Sequence, residues 1–128
     1  MSVALRSAAP LALMGLIFYL SAQEQVGPDL PAFTRVIAHF AEYALLAALW
    51  IWALAPALGR RAFVAAAAIS ILYAASDEFH QSFIPGRDSS AFDLAIDALG
   101  VAVAVAVLSR WSRRPRDASR NQAPVTRP

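Results

Sequence analysis

The chain has 128 residues, 59% of them hydrophobic and only 16% charged, with neither Cys nor Lys. The missing Cys excludes disulfides, thiolate nucleophiles and Cys-based zinc sites, and so few charges cannot wet the surface of a soluble domain of this size. All 11 basic residues are Arg and many lie in the tail, so the pI near 9.7 reads as membrane topology rather than nucleic-acid binding.

Four apolar segments follow one another. The first runs from about Val3 to Ser21, with Arg6 and Pro10 near its start, where a snorkelling Arg and an early Pro are tolerated. Its basic residue, apolar core and Leu20-Ser21-Ala22 also fit a signal peptide. The second runs from about Arg35 to Leu54. The third, Ala-rich, extends from about Ala62 to Phe79 behind Arg60-Arg61. The fourth covers about Phe92 to Ser109 and ends in the alternating Val-Ala run Val101 to Val107. Each is roughly 18–20 residues long, the length that crosses a 30 Å hydrocarbon core at 1.5 Å per residue. The expected fold is therefore an all-α membrane protein, a bundle of four transmembrane helices. Residues 1–111 form this domain, and residues 112–128, rich in Arg, Pro, Ser and Asn, form a disordered basic tail.

Charge placement predicts an orientation. If the four segments span, nine of the 11 Arg residues, from Arg6 through Arg60 and Arg61 to Arg127, share one side, and only Arg35 and Arg87 lie toward the other. The positive-inside rule then puts both termini in the cytoplasm of a multi-pass inner-membrane protein. Eight of the nine acids, Glu24 to Asp97, lie in the outward half.

Three helix ends carry the chemistry on that side. His39, Glu42 and Tyr43 share a face of the second segment, which Leu46 and Trp50 continue inward. His39 and Glu42 lie roughly 6 and 10 Å along the axis from Arg35. On the third segment Asp77 shares a face with His80 and Gln81, and Glu78 is rotated by one position. Asp93 and Asp97 are one turn apart on the fourth. Ionisable groups in a membrane face inward and mark functional sites, so these faces are expected to meet around Arg87. The Pro85-Gly86 pair marks a turn. Asp88, Ser89 or Ser90 can cap the fourth helix, and Asp93 suits its positive end. Glu24 and Asp29 read as solvated loop residues beside Pro28 and Pro31. Trp111 reads as an interfacial anchor; Trp50 and Trp52 read as packing or lipid-facing groups.

The strings Phe18-Tyr19-Leu20-Ser21, His39-Phe40-x-Glu42-Tyr43-x-Leu45-Leu46, Asp77-Glu78-x-x-Gln81-x-Phe83-x-Pro85-Gly86-Arg87-x-x-Ser90-x-x-Asp93 and Asp97-x-x-Gly100 resemble the VanZ-like family of small bacterial membrane proteins. The resemblance spans residues 10 to about 108 and implies a multi-helix integral membrane protein. The founding member is associated with low-level teicoplanin resistance, a phenotype that does not define a biochemical activity. Position 97 holds Asp where Asn is expected in many relatives.

Three functions fit the cluster His39, Glu42, Tyr43, Asp77, Glu78, Gln81, Arg87, Asp93 and Asp97. The first is recognition of a lipid or cell-wall precursor. Here Arg87 engages a phosphate or carboxylate, while Glu42, Asp77 and Gln81 fix the Arg or accept ligand hydroxyls. The second is an enzyme on a lipid-linked substrate, its acids and His acting as acid and base or holding a divalent metal, with Glu42, Asp77 and Glu78 as candidate ligands. No Ser-His-Asp arrangement or His-Glu-x-x-His motif supports it. The third is a structural clamp that leaves function to a partner.

Overall fold

The computed structural model describes residues 1–23, 31–86 and 89–113. Glu24, Pro28, Asp29, Arg87, Asp88 and the tail from residue 114 lie outside the described residues, and so do the expectations placed on them. Four helices make up the fold: α1 (Val3–Ser21), α2 (Ala32–Leu58), α3 (Arg61–Gln81) and α4 (Ala91–Ser112). All four are long and apolar enough to cross a membrane.

Local chemistry sets their ends. The Ser2 hydroxyl accepts the Leu5 N–H at the start of α1. At the start of α4 the Ser90 hydroxyl accepts the Phe92 and Asp93 N–H groups, so Ser90 is the cap. Between α2 and α3 the chain reverses at Gly59, whose φ of 53° suits a residue without Cβ. Gly86, with φ 79°, makes the turn that Pro85-Gly86 predicted.

Helix α2 extends beyond the expected Arg35 to Leu54 at both ends, and its last turn contains Pro56. Proline has no N–H to offer the carbonyl four residues back, here that of Trp52. Arg6 of α1 supplies the missing donor: its Nη1 lies 3.3 Å from the Trp52 carbonyl oxygen, and its guanidinium sits 5.0 Å from the Trp52 ring centroid. A helix-ending residue is thereby tolerated inside an apolar span, because a neighbouring helix satisfies the freed carbonyl.

The helices alternate in direction, so α2 runs parallel to α4, and α1 to α3. Helix α2 is central: it packs most extensively on α4, then on α3 and α1, whereas α1 and α3 touch only slightly. Between membrane helices, packing and hydrogen bonds replace the hydrophobic effect, and small residues let backbones approach. Accordingly Ala62, Ala66, Ser70 and Ala74 form a buried stripe at four-residue spacing along α3. The core around them contains Ile17, Tyr43, Leu46, Trp50, Ile51 and Val101. Large apolar side chains such as Leu11, Leu16, Ile37, Val64, Leu72 and Leu99 point outward, as expected where the surroundings are lipid tails.

Helices α2 and α4 approach closely at Gly100. A Cβ there would overlap the Phe40 carbonyl oxygen and stand 3.2 Å from the Ala44 nitrogen, both backbone atoms of α2 that cannot rotate away. Gly100→Ala is therefore expected to push α4 off α2 and destabilise the bundle by about 1–3 kcal/mol, the usual cost of overpacking. Thermal unfolding in detergent measures it, and an unchanged midpoint would contradict the tight α2–α4 contact.

Candidate functional site

The polar residues collect at the end of the bundle where α1 and α3 finish and α2 and α4 begin. Two rungs join the parallel helices α2 and α4. Arg35 donates through Nη2 to Asp93 Oδ2. One turn further in, His39 Nδ1 and Asp97 Oδ1 lie 3.0 Å apart. Both rungs connect residues 58 positions apart in sequence, the mark of parallel helices in register. Asp97 is 1% exposed and Asp93 4%, so each acid has a hydrogen-bonding partner in place of water.

Consecutive residues of α3 point to different neighbours. Asp77 turns toward α1: its Oδ1 accepts the Ser21 hydroxyl at 2.6 Å and its Oδ2 accepts the Gln81 side-chain amide at 2.9 Å. Both donors are neutral, so this buried acid carries its hydrogen bonds without an ion pair among the described residues. Glu78 turns toward α4, where its Oε2 accepts the Ser90 backbone N–H at 2.9 Å. Its Oε1 is buried and has no hydrogen-bond partner among the described residues. The roughly 100° step between adjacent helical residues produces this division.

On the Asp77 side a cavity of about 180 Å³ opens between α1, α2 and α3. Ser21, Arg35, His39, Glu42, Tyr43, Asp77 and Gln81 supply its polar walls. The Tyr43 hydroxyl, on a side chain only 1% exposed, has no hydrogen-bond partner among the described residues. A larger groove of about 900 Å³ lies at the other end, between residues such as Trp52, Arg60, Leu108 and Trp111. It contains none of the buried acids.

The structure thus divides the sequence cluster in two. His39, Glu42, Tyr43, Asp77 and Gln81 line the cavity, whereas Glu78, Asp93 and Asp97 lie toward α4. Of the three acids proposed as cation ligands, Asp77 and Glu78 diverge. Among the described residues, His39, Glu78 and Asp97 each place one ligand atom within 4.8 Å of the others. Arg87, expected at the centre, is outside the described residues. His80 stands apart from Asp77, its ring stacked on Phe18 at 4.4 Å between centroids.

Sequence reasoning missed two participants. Arg35 had a signal: it stands four residues before His39, on the same face, as Asp93 stands before Asp97. Ser21 had none beyond its place in the first string, because a single Ser at a helix end is ordinary.

Residues 8–112 match the sequence model of the VanZ/LLP1 family. The chain belongs to this family. Neither a curated protein nor a solved structure matches it. Every described residue of the site lies within the matched stretch, so this VanZ/LLP1 protein is a multi-pass membrane protein that carries its buried acids in the family domain itself.

The Arg35 rung yields a double-mutant test. Arg35→Ala leaves Asp93 buried without its cation and is expected to cost about 2 kcal/mol, less than the 3–5 kcal/mol of a fully buried pair because the Arg35 side chain is 49% exposed. Adding Asp93→Asn to Arg35→Ala should recover most of that loss in detergent unfolding, since no buried charge then remains at the rung. Equal losses in the single and double variants would mean that the pair is not what holds this position.

Proposed function

We propose that this VanZ/LLP1 protein recognises the polar part of a lipid or cell-wall precursor in the cavity beside Asp77, and that through this recognition it contributes to resistance of the teicoplanin type. The observation that carries the reading is the cavity wall itself. A buried carboxylate held by neutral donors stands there with a buried Tyr43 hydroxyl that no described residue partners. Buried polar groups are normally satisfied within the fold, and measured interhelical hydrogen bonds in membranes average only about 0.6 kcal/mol. Such a group is therefore poor glue and a good ligand contact.

Size and access support a lipid. About 180 Å³ falls below the roughly 300–1,000 Å³ of pockets that engulf a drug-sized molecule. The occupant therefore inserts only its polar end and leaves its remainder in the bilayer. The cavity is walled by α1, α2 and α3, and α1 and α3 pack against each other only slightly, which favours lateral access from lipid. Arg35, paired with Asp93, brings positive charge to the cavity wall for a phosphate or carboxylate, while Glu42 and Asp77 add carboxylates that accept hydroxyl or amide protons.

The reading places the protein in the inner membrane with both termini in the cytoplasm, so that the cavity faces outward. Cys introduced singly at Ser82 and at Ser119 should then label differently with an impermeant thiol reagent on intact cells, Ser82 strongly and Ser119 weakly. Equal labelling contradicts the orientation.

Asp77→Asn and Glu42→Gln separate recognition from clamping. In Asp77→Asn the amide oxygen can still accept from Gln81. The amide N–H can donate to Ser21, whose hydroxyl is then free to donate to the Phe18 carbonyl 3.1 Å away. Folding should survive, and the melting temperature in detergent should be nearly unchanged, while protection of cells against teicoplanin is lost. Joint loss of stability and protection would instead favour a structural clamp.

A further inference from the structure

We propose that His39, Glu78 and Asp97 bind one first-row divalent cation at the junction of α2, α3 and α4. The site goes beyond the headgroup reading and does not depend on it, because Glu78 and Asp97 are absent from the cavity wall.

Two independent observations meet here. The first is geometric: each of the three residues offers one ligand atom, and these atoms lie within 4.8 Å of one another. The His39 Nδ1 to Asp97 Oδ1 separation of 3.0 Å is already that of neighbouring ligands about 2.1 Å from a shared ion at a right angle. Bringing the third atom in requires only a small side-chain movement. The second observation is an unsatisfied atom. Glu78 is 6% exposed, and its Oε1 is buried without a hydrogen-bond partner among the described residues, whereas its Oε2 is held by the Ser90 N–H. A half-satisfied buried carboxylate is costly, and a cation removes that cost with a bond no described side chain provides.

Charge and ligand type select the ion. A neutral imidazole and two carboxylates sum to two negative charges, which a divalent ion cancels, so that the junction enters the apolar slab as a neutral unit. One nitrogen and two oxygens suit Mn²⁺ or Zn²⁺ better than Mg²⁺ or Ca²⁺, which take oxygen ligands, or Cu⁺, which takes sulfur. Three protein ligands leave positions for exchangeable water. The Ser90 N–H fixes Glu78 through Oε2 and leaves Oε1 without a described partner, as outer contacts orient the ligands of metal sites.

The test uses the full-length protein in detergent, stripped with a chelator and titrated separately with Mn²⁺, Zn²⁺ and Co²⁺. One equivalent of Mn²⁺ or Zn²⁺ should bind per chain, and Co²⁺ should develop visible absorption bands of mixed nitrogen and oxygen ligation that a chelator reverses. Glu78→Gln, Asp97→Asn and His39→Gln should each weaken binding by at least about tenfold, taking the lower end of the losses caused by mutating groups that merely support a metal ligand. Asp77→Asn should bind the ion as the parent does, because Asp77 faces α1. If the ligand variants fail to fold, the Co²⁺ spectrum of the unaltered protein still decides the matter. Substoichiometric uptake by that protein, absent Co²⁺ bands, or undiminished binding in a folded Glu78→Gln variant would overturn the site. Loss of ion binding in Glu78→Gln with lipid binding retained would separate this proposal from the cavity reading, and so would the reverse outcome in Asp77→Asn.

Discussion

The register between the parallel helices α2 and α4 is the constraint on which the rest of the structure depends. Arg35 with Asp93, and His39 with Asp97, keep one offset of 58 residues over a full helical turn. Just beyond them Gly100 lets the α4 backbone rest against the Phe40 carbonyl. A slip of one residue would rotate both acids away from their partners and bring a side chain against that carbonyl. Polar pairs at one level and a glycine at the next therefore specify the same alignment. Neither device needs to be strong, since the alternative in an apolar medium is a buried acid without a partner.

With α2 and α4 aligned, the role of α3 follows from its small residues. Ala62, Ala66, Ser70 and Ala74 bring it close to its neighbours, and the same buried face ends at Asp77, Glu78 and Gln81. Because the stripe is narrow, two adjacent acids at its end must straddle it. One reaches Ser21 of α1 and the other the start of α4. A pair that reads as a single acidic patch in the sequence thus serves two separate environments, with His39 of α2 shared between them.

Much of this was legible beforehand, for identifiable reasons. The four helices were visible because a membrane demands long apolar runs, and the caps and turns because Ser90, Gly59 and Gly86 sit where helix-end chemistry requires them. The His39, Glu42 and Tyr43 face was visible because helical spacing relates residues within one helix. Spacing does not say which neighbouring helix a face will meet. The divergence of Asp77 from Glu78, the pairing of Arg35 with Asp93 and the part played by Ser21 all depend on the register between helices. Connecting segments and tight contacts such as Gly100 set that register, and no local pattern encodes it. Pro56 illustrates the same limit: read alone it argues for an end to α2, yet α2 continues because Arg6, 46 residues away in sequence, supplies the donor that proline lacks.

The two ends of the bundle also differ electrostatically in a way that suits their contents. At the site end α2 and α4 begin, so two helix N-termini direct unsatisfied N–H groups and partial positive charge toward Asp93, Asp97 and Glu78. Asp93 lies in the first turn of α4, and the Ser90 N–H that Glu78 accepts belongs to the cap of the same helix. The opposite end holds the C-termini of α2 and α4, with Arg60, Arg61, Arg110 and Arg113 around them, which places cations against partial negative charge. Because α2 and α4 are parallel and neighbouring, their dipoles reinforce each other at each end, while the C-termini of α1 and α3 at the site end oppose them. The sign of the side chains at each end offsets the repulsion that this alignment creates. Acids at the start of α4 are therefore less expensive than beside a helix C-terminus, whereas Asp77 and Glu78, near the end of α3, rely on the hydroxyl, amide and backbone N–H donors that hold them.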